Sequence, residues 1–137
     1  MGTAPGLPPA DIKLSGHSFE CRINAEDPEK FTPCPGPIHR YHPPGGIGVR
    51  VDSAMEANST VVPHYDSLIA KLITHGQDRD EAMARMRRAL GEFVIDGIKT
   101  TIPLHRRIFS DAEFQKGRVS TSYLERFLAN HPSGPTR

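Results

Sequence analysis

GHSFECRINAE, residues 16–26, alternates polar and apolar side chains from Ser18 to Glu26. Alternation with a period of two and one apolar side is typical of a β-strand that buries one face. We therefore predict a half-buried strand. Its predicted buried face consists of Phe19, Cys21, Ile23 and Ala25, and its predicted solvent face of Ser18, Glu20, Arg22, Asn24 and Glu26.

Arg22 is the one cation on the predicted solvent face, where it lies between Glu20 and Glu26 and beside Asn24. We expect the carboxylates to hold its guanidinium in one pose, because the two groups form directed, charge-assisted hydrogen bonds. A guanidinium held in this way can bind another planar anion through two parallel hydrogen bonds. A solvated face with weak ion pairs is the commoner outcome of such a pattern, so the strand alone leaves both interpretations open.

The composition of the chain excludes several classes of function. Its 137 residues are suited to a single domain, and its formal net charge of +1 gives no electrostatic argument for binding nucleic acid or an anionic membrane. No apolar run approaches the ~18 residues that span a bilayer. The two cysteines, Cys21 and Cys34, are too few for a disulfide scaffold. We expect a cytoplasmic protein with neither nucleic acid nor a membrane as its partner.

Strand signals precede helix signals along the chain, and this order predicts an α+β fold with helices packed on an antiparallel sheet. We divide the chain into a flexible lead-in (1–10), one folded domain (11–130) and a tail (131–137). Predicted strands cover 37–42, 47–51, 67–75 and 98–100, and predicted helices begin after Asp78, after the capping residue Thr101 and near Ser120.

Two of these strands have a predicted arrangement. The prolines and glycines of residues 43–46 indicate a tight turn, so that residues 37–53 would form an antiparallel hairpin. The strand over 67–75 carries apolar residues on both sides, which is typical of a central strand that is covered on both faces.

Motifs for several chemistries are missing from the sequence. It contains neither a phosphate-binding glycine loop nor a GxSxG nucleophile turn. Its histidines and cysteines include no CxxC pair, and Cys21 falls on the predicted buried face, so we expect no metal site.

Three further residues are candidates for function. Ile47 and Arg50 follow the glycine turn as an apolar residue beside an arginine, a composition favoured at the centre of protein interfaces. Isolated surface positions are the alternative. Asp66 precedes the predicted central strand, at an element end where functional groups cluster, although an acidic turn residue is also ordinary there.

Five segments in order resemble the C-terminal domain of biotin carboxylase. They are ECRINAEDP (20–28), PGPI (35–38), PGGIGVRVDS (44–53), YDSLIAKLI (65–73) and DGIKTT (96–101). Each string alone is weak evidence, whereas five in order with similar separations are specific. The resemblance covers about residues 11–129 and implies the fold of that domain.

The resemblance also implies roles for individual residues. Enzymes of this family are ATP-grasp ligases that activate bicarbonate with ATP and then carboxylate N1 of biotin on a carrier protein. Arg22 would be the catalytic residue that contacts bicarbonate and biotin, and Asp66 would lie near the biotin pocket. Glu20, Asn24 and Asp66 would orient Arg22. Ile47 and Arg50 would lie at the interface of a homodimer, with Ile47 at a position that is often Phe in the family.

The remaining parts of such an enzyme set the expected cofactors and partners. Biotin on the carboxyl carrier protein, ATP and Mg²⁺ would act in the full-length enzyme, with an N-terminal domain and an ATP-grasp domain. We expect this chain alone to bind none of them and to be inactive. The resemblance is closest to the bacterial subunit of acetyl-CoA carboxylase, which serves fatty acid biosynthesis. Propionyl-CoA, methylcrotonyl-CoA, pyruvate or urea carboxylase is an alternative parent, and a non-catalytic dimerisation module is an alternative function.

Overall fold

A three-stranded antiparallel sheet forms the centre of the computed structural model, which describes residues 13–63 and 66–131. In chain order the elements of these residues are β1 (His17–Asn24), β2 (Gly36–Pro37), β3 (Arg40–His42), β4 (Val49–Ser53), β5 (Thr60–Val61), β6 (Leu68–Gly76), α1 (Arg79–Glu92), β7 (Val94–Asp96), α2 (Ile102–Ser110), α3 (Ala112–Gln115) and α4 (Tyr123–Asn130). The sheet has the order β1-β6-β4, and β2 with β5 and β3 with β7 form two separate strand pairs. Helices packed on antiparallel strands confirm the predicted α+β class.

The alternation of residues 18–26 has the predicted effect on β1. Cys21 and Ile23 are buried, whereas Glu20 and Arg22 on the other side are exposed. Both buried residues belong to the main apolar cluster. The predicted half-buried strand is confirmed, and its polar face is the open face of the sheet.

Helix α1 packs on the central strand β6 and covers the other face of the sheet. Its first turn is capped as the sequence predicted, because the carboxylate of Asp78 accepts a hydrogen bond from Glu81 N at 2.8 Å. Met86 and Leu90 of α1 and Leu72 of β6 are fully buried in the resulting core. Burial of such side chains stabilises the fold by roughly 1.5–3 kcal/mol each.

The predicted hairpin over residues 37–53 is wrong. Strand β3 pairs with β7, and β4 pairs with β6, so the two strands are not partners. Gly48, which has a φ of +70°, brings the chain against β6: its carbonyl accepts from His75 N at 2.9 Å, and a Cβ at Gly48 would lie 2.5 Å from His75 O. The turn therefore directs the chain onto β6. The predicted strand at 98–100 is also wrong, because the strand that pairs with β3 is Val94–Asp96.

The predicted limits of the domain stay predictions. The lead-in of residues 1–10 lies outside the described residues, as does all of the tail except His131. Among the helices that the structure describes, none is long and apolar enough to cross a membrane.

The two cysteines provide a test of how β1 faces the core. Burial, and to a lesser degree the charge of Glu20, raises the pKa of the Cys21 thiol to about 12, while Cys34 is only half-buried. Because the thiolate is the reactive form, we expect Cys34 alone to react rapidly with a thiol reagent at pH 8 in the native chain. The control is Cys34→Ser, which should react only after denaturation; rapid labelling of the native variant would contradict this orientation of β1.

Candidate functional site

The candidate site lies on the open face of the sheet, where Arg22 and Asp66 meet. Nη2 of Arg22 is 4.0 Å from Oδ2 of Asp66, and the two side chains are 54% and 73% exposed. Antiparallel pairing brings them together, since Asp66 lies two residues before the start of β6 at Leu68. The end of β1 lies beside this start, and Ala25 N donates to Ser67 O at 2.7 Å. The predicted proximity of Arg22 and Asp66 is therefore found.

Asp66 uses its two carboxylate oxygens differently. Oδ1 accepts a hydrogen bond from Leu68 N at 3.1 Å, which ties the side chain to the first residue of β6. Oδ2 is the oxygen that faces Arg22. The carboxylate is thus positioned by the backbone, while its contact with the guanidinium is long and open to solvent. Exposed pairs of this kind contribute only about 0–1 kcal/mol, and other anions can compete for the cation.

The expectation that Glu20 and Glu26 hold Arg22 is wrong. Within the part of the chain that the structure describes, neither carboxylate is paired with Arg22, whose ion pair is with Asp66. Oε1 of Glu26 instead accepts from Nδ2 of Asn24 at 3.1 Å and from Oγ of Ser67 at 2.5 Å. Glu26 lies beyond the end of β1, so the alternation of the strand no longer places it on the face of Arg22.

The predicted orienting role of Glu20 and Asn24 is also not seen as a contact. Glu20 is an exposed neighbour on the same face, without a hydrogen bond or ion pair to Arg22 among the described residues. The amide of Asn24 bonds to Glu26, and its Oδ1 is a buried acceptor without a partner in the described part of the chain. Asn24 is therefore linked to Arg22 through the backbone.

A row of charged residues crosses the open face at the level of Arg22. Lys71 of β6 is directly opposite Arg22, and Asp52 of β4 is directly opposite Lys71. Paired residues of adjacent strands point to the same face, so Lys71 adds a second positive charge near Arg22. The charge of Lys71 also contributes, after the hydrogen bond from Arg50, to holding the pKa of Asp52 below its ordinary value. Sequence reasoning missed Lys71 because its place in the row depends on the register of β6.

The backbone of Arg22 is held by helix α2. Oγ1 of Thr101 donates to Arg22 O at 3.1 Å and accepts from Asn24 N at 3.0 Å. Nε2 of His105 lies 2.9 Å from Arg22 O, and because a carbonyl only accepts, the proton is on Nε2. Thr101 is the N-cap residue of α2, as the sequence predicted, but its hydroxyl makes no capping bond and joins the helix to β1 instead.

The surroundings of His105 favour its neutral form. Burial lowers the pKa of His105 below its ordinary value of 6.5, while the hydrogen bond to Arg22 O acts in the opposite direction. A neutral imidazole with its proton on Nε2 still donates to Arg22 O. No local pattern marks His105, which is 83 residues away from Arg22 in the sequence.

The predicted interface residues lie on the opposite edge of the sheet. Ile47 is 84% exposed and precedes β4. Arg50 of β4 bonds to Asp52 through two hydrogen bonds, Nε to Oδ1 at 2.8 Å and Nη2 to Oδ2 at 3.0 Å. These residues are separated from Arg22 by the central strand β6.

A small anion can approach the positive charges of this site. Arg22 and Lys71 supply positive charge, and the guanidinium of Arg22 is accessible. No group of His, Cys, Asp and Glu side chains within residues 13–63 and 66–131 is arranged to hold a metal ion.

Comparison with protein families identifies the chain. A sequence model of the family described as "Biotin carboxylase C-terminal domain" matches residues 20–126. The chain belongs to the biotin carboxylase C-terminal domain family. The matched segment of this family contains Arg22, Asp66, Thr101 and His105.

Curated relatives are longer than this chain. The biotin carboxylase of Haemophilus influenzae is 56% identical over 129 residues, which are 91% of this chain and 29% of the relative. A pyruvate carboxylase subunit of Methanothermobacter thermautotrophicus is 51% identical over 118 residues, which are 85% of this chain and 24% of the relative. The chain therefore spans a quarter to three tenths of the length of these relatives.

Solved structures share the fold. The biotin carboxylase domain dimer of the Hydrogenobacter thermophilus 2-oxoglutarate carboxylase, in complex with MgADP, ADP and bicarbonate, is 48% identical with a TM-score of 0.83. The match covers 90% of this chain and 26% of that chain. This similarity confirms the biotin carboxylase C-terminal type of α+β fold that the sequence resemblance implied.

The lowered pKa of His105 predicts a pH dependence of stability. The folded chain binds fewer protons at His105 than the unfolded chain, so the stabilisation is present above pH 6.5 and is lost as the pH falls through the unfolded value. We expect the free energy of unfolding to fall between pH 7.5 and 5.5, and to fall less in His105→Gln. Chemical denaturation at both pH values measures this, with the other histidines unchanged in both proteins; identical pH dependence would exclude His105 as the source.

Proposed function

We propose that the chain is the C-terminal part of a biotin carboxylase, a ligase that activates bicarbonate with ATP and Mg²⁺ and carboxylates biotin on a carrier protein. Family membership supports the enzyme class. The carrier protein and the cytoplasmic location follow from the same resemblance. We propose that the ATP and Mg²⁺ sites lie in the parts of such an enzyme that these 137 residues do not match, and that this chain is inactive alone.

Arg22 is the residue that we propose to act in the reaction. The observation that carries the proposal is the accessible guanidinium of Arg22, which is 4.0 Å from Asp66, on a backbone that Thr101 holds by a hydrogen bond to Arg22 O. A planar guanidinium can donate two parallel hydrogen bonds to bicarbonate, and it can stabilise negative charge on the ureido oxygen of biotin as biotin is deprotonated. The related structure from Hydrogenobacter thermophilus contains bicarbonate, which is consistent with an anion site in this kind of domain.

Asp66 is the proposed partner that limits how far the guanidinium can turn. Oδ1 of Asp66 accepts a hydrogen bond from Leu68 N, and this bond fixes the carboxylate. Oδ2 of the fixed carboxylate therefore stays near Nη2 of the exposed Arg22 guanidinium. We propose that an incoming anion competes with this weak pair, while Lys71 adds positive charge from the neighbouring strand.

The proposed parent enzyme is the biotin carboxylase component of a bacterial acetyl-CoA carboxylase, acting in fatty acid biosynthesis. The 56% identity to the biotin carboxylase of Haemophilus influenzae favours this parent. The pyruvate carboxylase subunit of Methanothermobacter thermautotrophicus, at 51% identity, represents the competing class of parent. The two classes of parent enzyme differ in the molecule that accepts the carboxyl group from biotin. In the family this acceptor is not bound by the C-terminal domain.

We predict that Arg22→Ala lowers biotin-dependent turnover roughly 100-fold or more in a full-length biotin carboxylase that carries these residues, because a charged donor to the reacting anion is lost. Arg22→Lys should recover only part of the rate, since an ammonium cannot form the two parallel bonds. Arg40→Ala is the matched control, because Arg40 is also an exposed arginine paired with an aspartate, at 3.3 Å from Asp96. Turnover of Arg22→Ala within twofold of the parent would overturn the proposed role.

A second proposed function is dimerisation through Ile47 and Arg50. An isoleucine that is 84% exposed beside an arginine supports it, and the related Hydrogenobacter thermophilus structure is described as a dimer. Ile47 is smaller than the phenylalanine that is common at this position in the family, so the contact would be weaker there.

We predict that Ile47→Glu and Arg50→Glu each shift the chain toward monomer in sedimentation equilibrium at two concentrations. Burying the new carboxylate in the contact would be unfavourable. Val119→Glu is the control, since Val119 is also an exposed apolar residue, at 48%. A chain that is monomeric at both concentrations and unaffected by either substitution would exclude dimerisation through this surface.

A further inference from the structure

The outer edge of β1 is covered by the start of α2 at the level of Arg22. Because β1 is an edge strand of the central sheet, its outward backbone groups have no strand partner among residues 13–63 and 66–131. At Arg22 and Asn24, Thr101 and His105 satisfy these groups through four hydrogen bonds: Thr101 Oγ1 to Arg22 O, Asn24 N to Thr101 Oγ1, Thr101 N to Asn24 O and His105 Nε2 to Arg22 O. Arg22 O alone accepts two of these bonds, which uses both of its lone pairs.

We infer that Thr101 and His105 are positioning residues for Arg22, which fix the backbone from which its guanidinium reaches the anion. This inference rests on the proposed function and assigns to these two side chains a role in the same site. Neither side chain is proposed to touch bicarbonate or biotin.

The side chain of Arg22 needs such an anchor because little else holds it. Its single ion pair within the described residues is long, at 4.0 Å, and more than half of the side chain is exposed. On the other side of β1 the register with β6 shifts between Ile23 and Asn24, from the pair Ile23–Ala70 to the pair Asn24–Leu68. An irregularity of this kind re-aims neighbouring side chains, so the direction of Arg22 depends on how firmly residues 22–24 are held.

The Thr101 hydroxyl bonds to the backbone of β1 and not to the first turn of α2. A threonine at a helix start ordinarily caps the first turn with its hydroxyl. Thr101 instead adopts a helical backbone conformation and gives α2 no side-chain cap. Thr101 is also buried, at 6% exposure, so its hydroxyl exchanges little with water.

The first test compares Thr101→Val with Thr101→Ser in a full-length biotin carboxylase that carries this domain. Valine keeps the shape and removes the hydroxyl, whereas serine keeps the hydroxyl. We expect Thr101→Val to lower kcat for biotin carboxylation about tenfold with KM for ATP unchanged, since displacing a catalytic group by even ~1 Å can cost up to ~100-fold. Thr101→Ser should remain within about threefold of the parent by the same reasoning.

A double-mutant cycle separates positioning from a merely structural role. If Thr101 acts through Arg22, Thr101→Val should cause no further loss of kcat in the Arg22→Ala background. Thr74→Val is the matched control, because the buried Thr74 hydroxyl also bonds to a backbone carbonyl, that of Ala82 at 3.0 Å, without touching Arg22. It should lower the melting temperature and leave kcat unchanged.

His105 gives a second, independent pair of variants in case Thr101→Val does not fold. His105→Gln keeps a donor that can reach Arg22 O and should retain kcat within about threefold, whereas His105→Leu should lose about tenfold. Full kcat in both Thr101→Val and His105→Leu, or an undiminished loss in the Arg22→Ala background, would overturn the inference. If Arg22→Ala itself keeps full turnover, the proposed function fails instead, and the two failures are therefore distinguishable.

Discussion

The hydroxyl of Thr101, bonded to both Arg22 O and Asn24 N, is the interaction on which the candidate site depends. It joins the start of α2 to an edge strand that, in the part of the chain the structure describes, pairs with no other strand on that side. Without this hydroxyl, Asn24 N would lose its partner and Arg22 O would keep only the bond from His105, at a point where the β1–β6 register is already irregular. An unsatisfied buried polar group costs roughly 1–3 kcal/mol, so the joint stabilises the fold as well as the pose of Arg22.

The two faces of the sheet differ in burial and in composition. One face is covered by α1 and carries the apolar core, in which Ile23, Leu72 and Met86 are fully buried. The other face is open and presents the charged row of Arg22, Lys71 and Asp52 across three strands. Since the chain spans only a quarter to three tenths of its curated relatives, we propose that this open face meets the remainder of the enzyme, which would bring ATP and biotin to it.

The parts of the structure that the sequence predicts are those that depend on neighbouring residues. Alternation from Ser18 to Glu26 gives the faces of β1, and Asp78 followed by Glu81 gives the start of α1. Pairings between distant segments were not predictable in the same way. The predicted partners of β3 and β4 were wrong, and the sequence has no signal for the bonds that join Thr101 and His105 to Arg22.

In the candidate site, too, local sequence patterns did not predict a contact between distant segments. Acids adjacent in the sequence, Glu20 and Glu26, were expected to hold Arg22, yet its ion pair is with Asp66, 44 residues later, which the family resemblance suggested and the alternation could not. The most direct test of the central claim is a crystal structure of the full-length enzyme with bicarbonate and biotin. The account predicts the guanidinium of Arg22 within hydrogen-bond distance of the anion, with Thr101 and His105 still bonded to Arg22 O. Bicarbonate bound elsewhere, with Arg22 directed away from it, would contradict the account.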